Sequence, residues 1–206
     1  MKLLELFSGT GSVGKVAKSL GWDVVSLDLK NADINKNIMD WNYKEYPRET
    51  FDVIWSSPPC TEYSVAKTLG VRKIREANSI VMKTLEIIKY FSPKFWFIEN
   101  PQTGLLKKQP FMEDIDFYDV DYCKYGFRYR KRTRIWTNLK NWETKPLCKK
   151  DCGNIVDGRH LETAQRLPCG KKADWGENYI VKKQRDLYRI PQQLIEEIFQ
   201  QVYSNL

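Results

Sequence analysis

The chain has 206 residues, 42% of them apolar and 29% charged, and 34 Lys and Arg outnumber 26 Asp and Glu to leave a net charge of +8. That composition suits one folded domain with room for a small lobe and no need of disulfides. It excludes disorder, and no run reaches the ~18–20 apolar residues of a membrane span. The opening Met1-Lys2-Leu3-Leu4-Glu5 meets an acid too early for a secretion signal. Five cysteines, an odd number, suit a reducing compartment. A cytoplasmic protein with no membrane contact is expected. The positive excess points to a polyanionic partner, against the plainer reading of a solvated basic surface.

In chain order, residues 2–7 form an apolar run that the Ser8-Gly9-Thr10-Gly11-Ser12 stretch breaks. Residues 13–20 read as a helix ended by Gly21. Residues 23–29 and 51–55 read as strands, the second stopped by Ser56-Ser57-Pro58-Pro59. Residues 73–91 form the clearest helix, with Ile74, Ala77, Val81, Leu85 and Ile88 at helical spacing. Residues 94–98 form a short apolar strand. This alternation predicts an α/β fold, a mostly parallel sheet with helices on both faces. Further on, residues 118–125 and 134–139 read as strands flanking a basic turn. Residues 145–175 are turn-rich and hold three of the five cysteines and the only histidine. Residues 191–203 return to helix, with Leu194, Ile195, Ile198, Phe199 and Val202 on one face.

Four stretches carry chemistry. Gly9-Thr10-Gly11-Ser12-Val13-Gly14 follows a strand and opens a helix, where small residues let a ligand approach free backbone N–H groups. Asp28 ends the second strand and can accept hydrogen bonds from ribose hydroxyls. Alone, this pair suits NAD, FAD or S-adenosylmethionine. Cys60, in Ser57-Pro58-Pro59-Cys60, lies just past a strand, where open α/β sheets bind ligands, and the prolines stiffen its approach. Glu99, in Phe97-Ile98-Glu99-Asn100-Pro101, is an acid at the end of an apolar strand, where partial desolvation raises a carboxyl pKa. Residues 124–134 hold six bases and two tyrosines without an acid, a composition for phosphate contact and base stacking. Arg130, Arg132 and Arg134 alternate, so in a strand they share one face.

These four stretches, in this order, resemble the DNA cytosine C5-methyltransferases. Leu4-Glu5-Leu6-Phe7-Ser8-Gly9-Thr10-Gly11 is similar to that family's S-adenosylmethionine motif, and Pro58-Pro59-Cys60 to its nucleophile motif. Glu99-Asn100 is similar to its Glu-Asn-Val motif, and residues 130–134 to its Gln-x-Arg-x-Arg motif. The resemblance spans residues 2–139. Thr61, Pro101 and Arg130 depart from the family's Gln, Val and Gln, and little chain is left for target recognition.

The resemblance implies a Rossmann-like methyltransferase core. Phe7, Ser8, Gly9, Thr10, Gly11, Asp28, Asp40 and Pro58 would contact S-adenosylmethionine, with Asp40 at the adenine amino group and Asp28 at the ribose. The Cys60 thiolate would add to C6 of a flipped-out cytosine, Glu99 would hold N3 and the amino group, and Arg132 and Arg134 would assist. Lys124, Arg128, Arg130 and Lys131 would contact DNA. The expected domains are a catalytic core over 1–140, a small recognition lobe over 141–180 and a returning helix over 181–206. No obligate protein partner is implied, and so compact a chain suits a bacterial or phage-infected cell.

In the lobe, Cys148, Cys152, His160 and Cys169 are a donor set that structural zinc accepts, and unrelated reduced thiols are the competing reading. Cys123, inside a strand-like run, is expected to be simply buried. Rival functions are an RNA or nucleotide methyltransferase, a non-catalytic relative that keeps the cofactor pocket, and an NAD-dependent oxidoreductase. The last leaves Cys60, Glu99 and the arginines unexplained.

Overall fold

The structure, a computed structural model, describes residues 1–164 and 184–206. Five parallel strands, β1 (Lys2–Leu6), β2 (Asp23–Asp28), β3 (Ile34–Asn35), β4 (Val53–Ser56) and β5 (Phe95–Pro101), are joined by β6 (Phe117–Asp121) and β7 (Arg132–Thr137). They form one sheet in the order β3-β2-β1-β4-β5-β7-β6, in which only β7 runs against its neighbours. The central strands are apolar on both sides because both faces are covered, as parallel sheets require.

Side chains alternate across the sheet. Leu3, Val53, Trp55, Phe97 and Ile135 meet Val13, Val16 and Ala17 of α1 (Ser12–Ser19) and Leu194, Ile198 and Phe199 of α3 (Gln192–Ser204). On the opposite face Leu4, Leu6, Ile54, Ile98 and Trp136 meet Ala77, Val81, Ile88 and Phe91 of α2 (Ile74–Phe91). The expected architecture, helices on both faces of a mostly parallel sheet, is the one found. α3 brings the end of the chain back to its beginning, with the Phe199 ring 4.4 Å from that of Trp22. Among the described residues, no helix is long and apolar enough to cross a membrane.

Two elements differ from the sequence reading. The run expected as a strand over 118–125 leaves the sheet at Asp121 and turns through a 3-10 segment over Tyr122–Tyr125. Gly126, at φ 95°, closes that turn in a conformation that needs glycine. β7 begins two residues earlier than expected and stops at Asn138. The Asn138 amide replaces the ladder there, accepting from the Trp96 N–H and donating to the Lys94 carbonyl.

Residues 141–164 run outside the main sheet. β8 (Ile155–Val156) and β9 (Arg159–His160) form a two-stranded hairpin around Asp157-Gly158, with φ of 50° and 72°. This Asp-Gly turn twists as paired strands do. The segment is held to the core by Asp121, whose carboxylate accepts the Cys148 N–H at 2.9 Å, and by the Glu162 N–H, which donates to the Arg128 carbonyl at 3.1 Å.

Candidate active site

A cavity of about 420 Å³ opens at the carboxyl ends of β1, β2, β4 and β5. Its floor is the turn after β1. Phe7 takes φ 58°, a strained value for a side chain of that size, and Gly9 and Gly11 come next at 51° and 66°. The Gly11 N–H donates to the Ser8 carbonyl at 2.7 Å. Glu5, buried on β1, accepts from the Val13 and Gly14 N–H groups at 3.3 and 3.0 Å, so a strand residue caps α1. Burial pushes its carboxyl up to about 7, against the pull of those two N–H groups. Asp28, at the end of β2, accepts from the Gly9 N–H at 2.8 Å and the Leu29 N–H at 2.6 Å. Tyr188 and Ile190 close the cavity from the other end of the chain, and the Ile190 N–H donates to Ser12 Oγ at 3.3 Å.

The opposite wall carries the reactive groups. Cys60, half-buried, and Glu99, buried, both line the cavity, as does Lys131. The Lys131 ammonium is 3.5 Å from Glu99 Oε1, and the Tyr122 hydroxyl donates to the same oxygen at 2.9 Å. Burial pushes the Cys60 thiol pKa up, Lys131 pulls it down, and Glu99 pushes it up. The Cys60 loop is fastened on both sides. Asn100 donates through Nδ2 to the Pro58 carbonyl at 2.9 Å, and the Arg72 guanidinium donates to the carbonyls of Glu62, Ser64 and Lys67. Asn100 Oδ1, in a residue that lines this cavity, is buried with no hydrogen-bond partner among the described residues.

The sequence-predicted residues divide. Phe7, Ser8, Gly9, Thr10, Asp28 and Pro58 line the cavity with Cys60 and Glu99. Gly11 shapes the turn without lining it. Asp40 is exposed and not part of the wall; Asn37 and Ile38, three and two residues earlier, stand there instead.

Arg132 and Arg134 share a face, as their spacing predicts, but they are not brought to Cys60 and Glu99. Ile135 is the residue paired with Glu99, so the arginines lie on the α2 side of β7 with Trp136. There they form two-pronged pairs with Asp121 and Asp119 across β6, and the Arg134 guanidinium lies 3.4 Å from the Phe117 ring centre. Within the basic stretch, the residue that lines the cavity is Lys131, which the sequence suggested only for DNA. Of the other bases, Lys124 pairs with Asp151 and Arg128 with Glu162, while Arg130 is exposed.

Cys148, Cys152 and His160 do come together, and the thiol beside them is that of Cys123, which is buried as expected. Cys169 lies outside the described residues. Two signals could have found this grouping: Gly126, which makes a turn after Cys123 natural, and Asp157-Gly158, which makes the hairpin that presents His160.

Comparisons with known proteins identify the family. The model of the C-5 cytosine-specific DNA methylase family matches residues 1–110. The Frog virus 3 (isolate Goorha) protein named Probable DNA (cytosine-5)-methyltransferase is 33% identical, over 96% of this chain and 98% of its own. The type II methyltransferase M.FnuDI of Fusobacterium nucleatum is 30% identical over 53% of this chain but only 34% of its own length. A solved structure, described as a DNA modification methyltransferase encoded within an E. coli prophage, superimposes with a TM-score of 0.51. At 17% identity over 66% of this chain and 46% of that one, it speaks for the fold. With the family's model covering the half that carries the glycine turn, Cys60 and Glu99, and a relative matched end to end, the chain belongs to the C-5 cytosine-specific DNA methylase family, as a short member.

Proposed function

We propose that the chain methylates C5 of cytosine in DNA, with S-adenosylmethionine in the cavity and a transient bond between Cys60 and C6 of a flipped-out base. The observation that carries this reading is the shared cavity. The glycine turn and Asp28 form one wall, and Cys60, Glu99 and Lys131 form the other. The volume is that of a small-molecule site. Bound S-adenosylmethionine supplies an electrophilic methyl group.

The chain's residues supply the rest. Cytosine C5 is a poor nucleophile until a thiolate adds to C6 and makes the ring enamine-like, which divides one hard step into two. Lys131 favours the thiolate form of Cys60 against the effect of burial. Glu99 faces the same space; in its protonated form it can give a proton to N3 as the thiolate adds and accept from the exocyclic amino group, so that charge does not build on the ring. Tyr122, donating to Glu99 Oε1, leaves the second carboxylate oxygen for the base. After methyl transfer, water takes the C5 proton, Cys60 leaves as the thiolate and N3 returns its proton to Glu99, which restores the ring. In a duplex the base must leave the stack at a cost of a few kcal/mol. Exposed Arg130 and the net charge of +8 supply backbone attraction to offset it.

Labelled S-adenosylmethionine and mixed-sequence duplex DNA test the reading. Label is expected in 5-methylcytosine after digestion to nucleosides, and none with Cys60→Ala. Glu99→Gln is expected to slow transfer by about 10²–10⁴-fold while cofactor binding persists. DNA carrying 5-fluorocytosine, which has no C5 proton to lose, is expected to trap a denaturant-stable complex with wild type alone. Label in RNA but not in DNA, or full activity in Cys60→Ala, would sink the proposal.

A further inference from the structure

Outside the cavity, three thiols and an imidazole converge at the base of the small lobe. Cys123 sits in the 3-10 turn after β6, Cys148 and Cys152 flank a bend at Lys149-Lys150, and His160 ends β9. Their donor atoms all lie within 4.8 Å of one another. Cys148 Sγ is 3.6 Å from His160 Nε2. Bonds of ~2.3 Å to sulfur and ~2.0 Å to nitrogen give a tetrahedron whose sulfur–nitrogen edge is about 3.5 Å. The Cys148–His160 pair therefore already stands at the right separation, and every other pair of donor atoms lies within 4.8 Å.

We propose that Cys123, Cys148, Cys152 and His160 bind one zinc ion that staples the small lobe to the catalytic core. The chemistry of the set favours zinc, since three sulfurs and one imidazole nitrogen form a closed tetrahedral shell of the structural type. On binding, the three thiols release their protons to solvent, and the zinc carries no open position for catalysis. The site also has an outer shell. The Lys150 N–H donates to Cys148 Sγ at 3.3 Å, and Asp121 holds the Cys148 N–H at 2.9 Å. The Lys124–Asp151 ion pair lies beside Cys148 and Cys152.

The staple matters because of where Cys123 lies. Its neighbour Tyr122 donates to Glu99. Asp121, one residue earlier, pairs with Arg132. Fixing Cys123 fixes the turn that aims Tyr122, so the metal acts on the reaction only through position. The segment over 143–163 has few large apolar side chains to form a core, and metal binding is the alternative means of ordering such a segment.

Elemental analysis of the full-length protein grown in zinc-replete medium tests the proposal. One zinc per chain is expected in wild type, in Cys60→Ser and in Cys169→Ser. Cys123→Ser and Cys152→Ser are expected to lose it. Cobalt substitution of wild type is expected to give the intense visible bands of a tetrahedral site and a thiolate charge-transfer band, both absent in His160→Ala. If Cys123→Ser does not fold, titrating wild-type thiols with a mercurial while a chelating dye reports zinc keeps the question answerable, since metal release is expected to track thiol capture. A cooperatively folding wild type that binds neither zinc nor cobalt would overturn the proposal. So would a disulfide within the cluster in the native protein, or zinc lost in Cys169→Ser but retained in Cys123→Ser. None of these readouts depends on methyl transfer, so failure here is separable from failure of the proposed reaction.

Discussion

Lys131 stands between the two groups on which the proposed chemistry depends, 3.5 Å from Glu99 and the main influence lowering the Cys60 pKa. Removing its charge leaves burial and Glu99, both of which disfavour the thiolate, opposed only by a smaller backbone hydrogen-bond contribution. In Lys131→Ala the pH at which Cys60 is half-reactive toward iodoacetamide is therefore expected to move up. Lys131→Arg is expected to restore much of the shift, because it keeps a cation there. A downward move, or none, would mean that Lys131 does not face Cys60. Cys60 and Glu99 were legible in the sequence because each sits in a contiguous motif at a strand end. Lys131 was not, because alternation says which residues share a face but not which face that is. The pairing of Glu99 with Ile135 decides it, and a shift of one residue exchanges Lys131 for Arg132. Asn37 escaped for a related reason: it lies in a loop, where no periodicity tells one polar residue from the next.

At the scale of elements, α1 depends on a residue outside itself. Glu5 reaches from β1 to cap its first turn, and Gly14 gives the carboxylate room. A Cβ at position 14 would stand 2.5 Å from Glu5 Oε2 and 3.2 Å from Val24 Cγ1. Helix propensity alone favours alanine there by about 1 kcal/mol. The collision reverses the sign, and Gly14→Ala is expected to destabilise the protein by about 1–3 kcal/mol in urea unfolding. In a Glu5→Ala background the penalty is expected to shrink, because the nearest clashing atom is gone. Additive effects in the double mutant would place the strain elsewhere. The three α-helices of the described residues were legible because their periodicity is local and strong. β3, with two residues, and the turn over Tyr122–Tyr125 were not, because both depend on partners distant in sequence. That turn is what carries Cys123 away from the sheet and toward the lobe.

At the scale of the molecule, the family's model ends at residue 110, yet the fold closes only with the later strands and α3. β7 covers β5 and so buries Glu99, and α3 covers the face that β1 and α1 present. The segment leading into α3 forms the cavity wall at Tyr188 and Ile190, so this segment and α3 both complete the core and shape the cavity. Phe199 is the link to test. It is fully buried, with its ring against that of Trp22. Phe199→Ala is expected to lower unfolding free energy by about 3–5 kcal/mol, from lost apolar burial and the void left behind. It is also expected to weaken S-adenosylmethionine binding in calorimetry, although Phe199 does not line the cavity, because α3 anchors Ile190 and its hydrogen bond to Ser12. Saturating cofactor should then recover part of the lost stability, since a ligand that binds only the folded state shifts the balance toward it. Lower stability with unchanged cofactor affinity would mean that α3 supports the core alone and that the cavity wall stands without it.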